Sequence, residues 1–226
     1  MKKTDRILIP GHAHHLMHKS SSDQPIFRND ADATHFAGLI RDLSQRYGIR
    51  VHGWCLLPDR FHLLATPSQE ANDLSLLMKG LTSQASLRQK QTHNETLFWE
   101  PRYRSSPVEP GQCLMACLCY IESLPATLGL VKSPFDHRLS SYRMRLGKTS
   151  PYWLDDPQEY LNLGDPKERV AAYRAYMHFG IDAEEADMIV TALRRGCLTG
   201  SSRFEKKVHE EFGVLVINRG PGRPPK

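Results

Sequence analysis

The sequence has no apolar run of the length that a membrane span requires. Hydrophobic residues make up 40% of the 226 residues and charged residues 24%, which is ordinary for a soluble globular protein, and no apolar segment approaches the roughly 18 residues needed to cross a bilayer. Residues 1–10 lack the apolar core and the small-residue cleavage site of a secretory signal. We therefore expect a soluble, cytoplasmic protein with no membrane partner.

Cysteine is scarce, and its spacing excludes a disulfide framework. The five cysteines are an odd number, and Cys113, Cys117 and Cys119 fall within seven residues of one another. A zinc site that adds His93 to these thiols is an alternative, but the spacing is helical and contains no Cys-x-x-Cys pair. Packing of the thiols inside a helix is the favoured interpretation.

The sequence also lacks internal repeats, and its formal net charge is moderately positive. A charge of +5 is compatible with a polyanionic partner, because lysine and arginine side chains neutralise phosphates and release counterions. Many basic proteins bind no nucleic acid, so charge alone does not identify the partner.

The hydrophobic periodicity alternates between strand and helix spacing through the first half of the chain. A helix is predicted where Phe36, Leu39, Ile40 and Leu43 recur at spacings of three and four. The order of predicted elements is strand 13–19, helix 30–47, strand 50–57, strand 60–66, helix 72–91 and strand 98–108. This order predicts an α+β fold, a ferredoxin-like split βαβ domain with an antiparallel sheet and helices.

The second half of the chain is predicted to be helical. A helix over 112–124 is followed by helices over 167–179, 183–194 and 201–212. We therefore divide the chain into a ferredoxin-like domain (1–135), a C-terminal helical appendage (136–218) and a basic tail, "RGPGRPPK" (219–226), expected to be disordered.

Two polar residues stand two positions apart in the strand predicted over 60–66. Arg60 and His62 share one face of that strand, because side chains at positions i and i+2 point the same way. The residues alone leave open whether the pair is part of a metal site or an ordinary polar edge.

Three segments, in order along the chain, point to a family. They are "WCLLPDRFHLL" (54–64), "FWEPRYRSSPV" (98–108) and "CYIESLPATLGLV" (119–131). They resemble the REP-associated tyrosine transposases, a branch of the single-tyrosine HUH (IS200-like) transposases. The likeness continues through "QPIFRNDAD" (24–32), "SSYRMRLG" (140–147), "GSSRFEKKV" (200–208) and "GRPPK" (222–226).

The resemblance implies a ferredoxin-like nuclease domain that binds single-stranded or hairpin DNA in association with the nucleoid. It also implies a tyrosine that attacks a phosphodiester to form a 5′-phosphotyrosine link and to leave a free 3′-OH. A divalent metal, Mg²⁺ or Mn²⁺, would polarise the scissile phosphate, because a phenol is a poor nucleophile near neutral pH.

Carried over residue by residue, the family pattern is incomplete. Tyr120 stands at the position of the nucleophile and His62 at that of the second metal-binding histidine, whereas Arg60 replaces the first histidine and Leu124 the asparagine. An arginine has no lone pair for a metal and its charge repels one, and a leucine has no donor atom. The metal site is therefore expected to be degenerate and metal-dependent cleavage to be lost or severely weakened.

Several alternatives to this interpretation stay open. Arg60 could contact the scissile phosphate bidentately and do part of a metal's work, or His18 or His14 could replace a missing ligand. Without the resemblance, Tyr120 would be an ordinary residue of an amphipathic helix. The function is then a hairpin-DNA-binding protein with impaired chemistry, an active transposase or nickase with a compensated site, or an RNA- or protein-binding regulatory module.

The predicted nucleic-acid contacts lie on a basic edge and in the tail. Arginines could contact phosphates there, and Trp99 and Tyr103 could stack against bases, although solvated strand residues are the simpler alternative. The tail contains a Gly-Arg-Pro tripeptide of the kind that lies in A·T-rich minor grooves. The predicted contacts are Arg60, Arg102, Tyr103, Arg104, Ser105, Arg219 and Arg223.

Overall fold

Four strands form one antiparallel sheet with two central and two edge strands. In the computed structural model, which describes residues 6–21 and 25–214, the strand order is β2-β3-β1-β4, and every neighbouring pair is antiparallel. This is the order of a ferredoxin-like sheet, and it confirms the predicted fold class. The strands are β1 (His14–Lys19), β2 (Arg50–Leu56), β3 (Arg60–Thr66) and β4 (Arg104–Pro107).

Two helices, α1 (Asp30–Arg46) and α2 (Asp73–His93), cover one face of the sheet. The side chain of Asn29 caps α1 by accepting a hydrogen bond from the backbone N–H of Asp32. Leu16 and Phe61 of the sheet pack with Phe36 of α1 in the larger apolar cluster. The amphipathic pattern seen in the sequence therefore buries its apolar stripe against the sheet.

A third helix, α3 (Gln112–Thr127), covers the opposite face. It comes so close to β2 that a Cβ atom added at Gly53 would stand 2.4 Å from Leu118 Cδ1. The predicted end of this helix at Leu124 is wrong, because the helix continues through Pro125. Pro125 lies in the last turn, where its missing N–H removes only one intrahelical hydrogen bond.

The region after α3 is helical, and its helices share a core with the sheet. Tyr173 and Ile189 pack in one apolar cluster with Cys55 and Leu64 of the strands. The domain division at residue 135 stays a prediction, and the tail 219–226 lies outside the described residues. The elements are a 3₁₀ turn (Pro134–Asp136), α4 (Tyr142–Arg145), α5 (Gln158–Leu161), α6 (Pro166–Phe179), α7 (Ala183–Arg195) and α8 (Ser202–Phe212).

The last strand is shorter than its sequence pattern predicts. The pattern predicts a strand over 98–108, but β4 begins at Arg104, and Trp99 makes only an isolated bridge with Ser20. Pro101 has no N–H to give to a sheet ladder. The backbone N–H of Glu100 still donates to Lys19 O at 3.0 Å, so the segment follows β1 before and after the proline.

The described part of the chain has free thiols and no helix suited to a bilayer. All five cysteines are free, and of the three predicted to pack inside a helix, Cys117 and Cys119 are buried whereas Cys113 is only partly buried. None of the helices described combines the length and the apolar character that spanning a membrane needs.

Candidate active site and nucleic-acid interface

Tyr120 lies on α3 above two histidines of the central strands. The Nε2 atom of His15 on β1 lies 2.9 Å from Nδ1 of His62 on β3, so the two rings share a hydrogen bond. The ring of His15 meets that of Tyr120 edge to face, with 5.9 Å between centroids. Tyr120 is half-buried, whereas both histidines are buried.

The strand register explains why these side chains meet. Met17 is paired with His62 and Lys19 with Arg60, and directly paired residues of antiparallel strands point to the same face. His15 lies two residues before Met17 and therefore shares that face. The side chains of His15, His62 and Arg60 consequently all lie on the side of the sheet that α3 covers.

The two histidines considered as replacement ligands lie on the other face. His18 Nε2 is hydrogen-bonded to Glu100 O at 2.9 Å, and His14 is bonded to the backbone of His12 and of Ile9. The prediction that His18 or His14 could replace a missing ligand is therefore wrong. His15, which sequence reasoning missed, is the neighbour of His62. A signal was present, because adjacent strand residues point to opposite faces and one of the pair His14 and His15 had to face His62.

The histidine pair is neutral near pH 7. Burial lowers the pKa of His15 to about 3. The pKa of His62 is also lowered, first by burial and then by the electrostatic influence of His15 and Arg60, which disfavours a second positive charge there. Because one ring must donate and the other accept, the outer nitrogens, His15 Nδ1 and His62 Nε2, comprise one donor and one acceptor. Within the described chain, both are buried without a hydrogen-bond partner.

Arg60 brings a positive charge to the edge of this cluster. Its side chain is one-third exposed, and Nε donates to Asp59 Oδ1 at 2.9 Å. Burial raises the pKa of Tyr120, and the charge of Arg60 opposes this shift only in part. The phenol is therefore protonated near pH 7, and the site does not by itself generate the phenolate that would attack a phosphate.

The predicted nucleic-acid contacts are divided between the two faces of the sheet. Arg104 is paired with Met17 and shares the face of Arg60, with its side chain 38% exposed and 3.8 Å from Glu100. Arg102 is half-buried in the segment before β4. Ser105 is buried and lies on the opposite face. Arg219 and Arg223 lie outside the described residues.

Tyr103 is not available as a stacking platform for a base. The side chain is only 8% exposed, its hydroxyl group lies 2.9 Å from Ser75 Oγ, and the guanidinium of Arg6 covers the ring at 3.8 Å. The prediction that Tyr103 stacks against bases is therefore wrong, because the side chain packs against Ser75 of α2 and under Arg6. Trp99 is also partly packed, and its Nε1 donates to Ser86 Oγ at 3.0 Å.

The comparison with protein families decides the affiliation of the chain. The family model described as "Transposase IS200 like" matches residues 10–123, which is half of the chain. The chain belongs to the IS200-like transposase family. The matched residues include the whole sheet together with Tyr120, and this affiliation confirms the resemblance seen in the sequence.

The chain of this IS200-like transposase was also compared with solved structures, and one of them shares its fold. One, described as the REP-associated tyrosine transposase bound to a REP hairpin, is 16% identical, with a TM-score of 0.56 over 70% of this chain and 93% of that chain. Another, from Deinococcus radiodurans R1 and described as a candidate transposase, is 20% identical, with a TM-score of 0.37 over 57% of this chain and 93% of that chain. A comparison with curated proteins finds no match.

IS200-like transposases are generally metal-dependent, but this chain lacks the donor set for Mg²⁺ or Mn²⁺ at Tyr120. Leu124 is 6% exposed and packs in the apolar cluster around α3. His15 and His62 offer only imidazole nitrogens, one of each ring already engaged in their mutual hydrogen bond, whereas hard cations prefer oxygen. The positive charge of Arg60 would also repel a divalent cation. In the described ranges, no three His, Cys, Asp or Glu residues are grouped so that they could hold a metal.

A buried carboxylate holds α3 of this IS200-like transposase against its neighbours. Glu122, two residues after Tyr120, is fully buried. Its Oε1 accepts a hydrogen bond from Ser141 Oγ at 2.5 Å and its Oε2 one from Tyr173 Oη at 2.8 Å. Sequence reasoning missed this role, although an acidic residue inside an apolar helix stripe was a visible signal.

Arg145 completes this buried network. Its Nε lies 3.5 Å from Glu122 Oε1, its Nη1 donates to Asp156 Oδ1 at 2.6 Å, and its Nη2 donates to His52 O. Burial raises the pKa of Glu122, and the charge of Arg145 together with the hydrogen bonds opposes that shift. The position of the helix that carries Tyr120 therefore depends on residues from the helical region beyond residue 135.

Proposed function

We propose that the protein binds hairpin-forming single-stranded DNA on an IS200-like transposase scaffold and that strand cleavage through Tyr120 is impaired. One observation carries the proposal. Arg60 occupies the position of a metal ligand, beside His62 and close enough to Tyr120 to influence its pKa. A cation that is fixed in this place favours phosphate binding and disfavours a divalent metal.

DNA binding is supported by the membership of the chain in the IS200-like transposase family and by positive charge on the face of the sheet that α3 covers. The structure with a TM-score of 0.56 is described as bound to a REP hairpin, and the net charge of this chain is +5. Lys19, Arg60 and Arg104 lie on the same face of the sheet as Tyr120, as the register shows. Three cations on the face that α3 covers form a surface on which a DNA backbone can lie. Chromosomal hairpins as ligands would place the protein at the nucleoid.

The proposed loss of activity follows from the chemistry of the tyrosine. In the family reaction, the phenol oxygen attacks phosphorus, the P–O3′ bond breaks, and the 3′ oxygen leaves with a proton. The phenol must lose its proton, and charge that develops on the phosphate must be neutralised. Arg60 could meet part of the second requirement, but it cannot accept a proton.

The direct test looks for the covalent intermediate. A hairpin oligonucleotide with a single-stranded flank and a label at its 3′ end, the end that stays on the protein when a 5′-phosphotyrosine forms, is incubated with the protein and Mg²⁺ or Mn²⁺, and the adduct is resolved by denaturing electrophoresis. We expect hairpin binding with little or no adduct. An abundant adduct that disappears in Tyr120→Phe would overturn the proposal that strand cleavage is impaired. Failure to bind hairpin DNA at ~0.1 M salt would favour an RNA- or protein-binding module.

A restoration experiment tests the cause of the impairment. Arg60→His together with Leu124→Asn should create or raise a metal-dependent adduct, because these substitutions supply two donors beside His62. Leu128→Asn, combined with Arg60→His, is a matched control, because Leu128 lies one turn after Leu124 and is 48% exposed. Equal adduct yields from the two double variants would contradict the proposal that the missing metal ligands at positions 60 and 124 cause the impairment.

An active enzyme is the second candidate, and the contact of His15 with Tyr120 favours it. The ring of His15 contacts that of Tyr120, and a neutral imidazole can accept a proton from a phenol, although a pKa of about 3 makes His15 a weak base. An adduct that forms in EDTA, is lost in His15→Gln and persists in His14→Gln would establish this candidate. His14 is the matched control, because it is equally buried but lies on the opposite face.

A further inference from the structure

A cavity of about 690 Å³ opens between α4, α6 and the segment that follows α3. Its volume is within the range of pockets that hold small ligands, roughly 300–1,000 Å³. It therefore has space for one unpaired nucleotide but not for a duplex. We call it the basic cavity, and its chemistry is carried by Lys132, Phe135, Tyr142, Lys148, Arg174 and His178.

Positive charge converges on the basic cavity without a compensating carboxylate. Lys132, Lys148 and Arg174 come from three separate segments, and all three are exposed. No aspartate or glutamate is among the residues that line the cavity, and no ion pair involving these three cations is found in the described ranges. Three cations that face a shared space form a site for a phosphate group.

An aromatic ring at the rim is suited to a base. The side chain of Phe135 is 38% exposed, and the guanidinium of Arg143 stacks on its ring with 4.7 Å to the centroid. Nη1 of Arg143 also donates to Phe135 O at 3.2 Å. The ring is thereby held in place, and an exposed aromatic ring beside phosphate-binding cations is typical of single-stranded nucleic-acid sites.

The basic cavity is connected to the candidate active site through packed elements. Seven residues separate Tyr120 from Thr127 at the end of α3, which is about 10 Å along the helix axis. The ring of Tyr142 in the cavity wall lies against that of Tyr173, with 6.2 Å between centroids, and Tyr173 donates to Glu122 on α3. A DNA strand held at Tyr120 can therefore reach the cavity within a few nucleotides.

We propose that the basic cavity binds an unpaired nucleotide of the DNA, with its phosphate between Lys132, Lys148 and Arg174 and its base against Phe135. The proposal rests on the proposed function, because it assigns to this cavity a single-stranded part of the same DNA. The cavity lies outside residues 10–123, to which the family model extends. Hairpin binding on the sheet face and nucleotide binding in the cavity are separable.

The experiment measures binding of fluorescent oligonucleotides to the full chain by anisotropy. The probes are a blunt hairpin, the same hairpin with an unpaired extension of DNA or of RNA, and an unpaired strand. Lys148→Glu combined with Arg174→Glu is compared with Lys79→Glu combined with Arg46→Glu. The second pair changes the net charge equally on α2 and α1, at the other face of the sheet.

We expect the cavity variant to bind the extended hairpin at least tenfold more weakly and the blunt hairpin nearly as well as the unmodified protein. The control variant should match the unmodified protein with both probes. The dependence of log K on log salt should fall by about 0.7 for each lost phosphate contact to the unpaired strand. Phe135→Ala should weaken only binding of the extended hairpin and the unpaired strand, by about fivefold or more.

Each remaining result decides between the two proposals. Equal loss of affinity for blunt and extended hairpins, or no loss, would overturn the cavity proposal and leave hairpin binding intact. Cavity-dependent binding of the unpaired strand without binding of the blunt hairpin would support the cavity and contradict the proposed function. Tighter binding of an RNA extension than of a DNA extension, or no binding of any probe, would overturn the cavity proposal as well.

Discussion

At the scale of single residues, Arg60 is the residue on which the proposal of impaired metal-assisted cleavage depends. Arg60 and Arg41 are similar in their surroundings, because each donates from Nε to a neighbouring aspartate, at 2.9 Å and 2.8 Å, and each is about one-third exposed. Arg60 lies beside Tyr120 and His62, whereas Arg41 lies on α1 at the other face. A contribution of Arg60 to DNA binding can therefore be measured against Arg41.

We predict that Arg60→Gln weakens hairpin binding by about threefold to tenfold and lowers the salt dependence of log K by about 0.7 to 0.9, as expected for one lost phosphate contact. Arg41→Gln should change neither quantity, although it removes the same charge. Anisotropy titrations over a series of salt concentrations measure both. Equal effects of the two substitutions would show that Arg60 acts only through net charge.

Arg145 is the residue on which the buried network depends. Its guanidinium is fully buried and bonded to Asp156, with Glu122 beside it. Removing one partner of a buried ion pair leaves the other charge without compensation, which typically costs about 3–5 kcal/mol. We predict a loss of this size in the free energy of unfolding for Arg145→Met, measured by urea denaturation. Arg143→Met, on the same short helix but partly exposed, should cost about 0.5 kcal/mol.

At the scale of elements, the periodicities in the sequence were sufficient to predict the six longer helices and the first three strands of the described chain, but not the short helices α4 and α5. The face of a strand on which a residue lies depends on register, and therefore on pairing partners distant in sequence. That is why His14 and His18 were preferred to His15, and why Tyr103 was expected on an open surface. The network of Glu122 and Arg145 joins residues 23 positions apart through a tertiary contact, which no local pattern encodes.

The close approach of α3 to β2 makes Gly53 a second determinant of the position of Tyr120. An added methyl group would meet Leu118 Cδ1 at 2.4 Å and Ser141 Oγ at 3.3 Å, so Gly53→Ala should lower the free energy of unfolding by about 1–3 kcal/mol. Gly38→Ala is the control, since a Cβ atom there has nothing within 4 Å and alanine favours the helix by about 0.5–1 kcal/mol. Urea denaturation should show a lower free energy of unfolding for Gly53→Ala and a higher one for Gly38→Ala. Changes of the same sign in the two variants would contradict the packing argument.

At the scale of the whole molecule, both faces of the sheet bury neutral histidines. His14 and His15 are fully buried on opposite faces, and burial lowers their pKa values to about 4 and about 3. His14 accepts a hydrogen bond at Nε2 from Ile9 N–H, so protonation there would also break a backbone contact. The histidine pKa in an unfolded chain is about 6.5. Protonation of buried histidines is therefore expected to destabilise the packing on both faces of the sheet at acid pH.

Because the folded-state pKa values of these histidines lie below the unfolded value, the unfolded chain binds more protons below about pH 6.5, and stability falls with acidification. At about pH 5, each of His14 and His15 should cost about 2 kcal/mol relative to pH 7.5, with the loss continuing toward the folded pKa values. Urea denaturation at both pH values measures the difference in the free energy of unfolding between them. His15→Gln should reduce this difference by up to about 2 kcal/mol. His35→Gln, at an exposed position, should leave this difference unchanged. A difference that His15→Gln does not narrow would contradict the contribution assigned to His15.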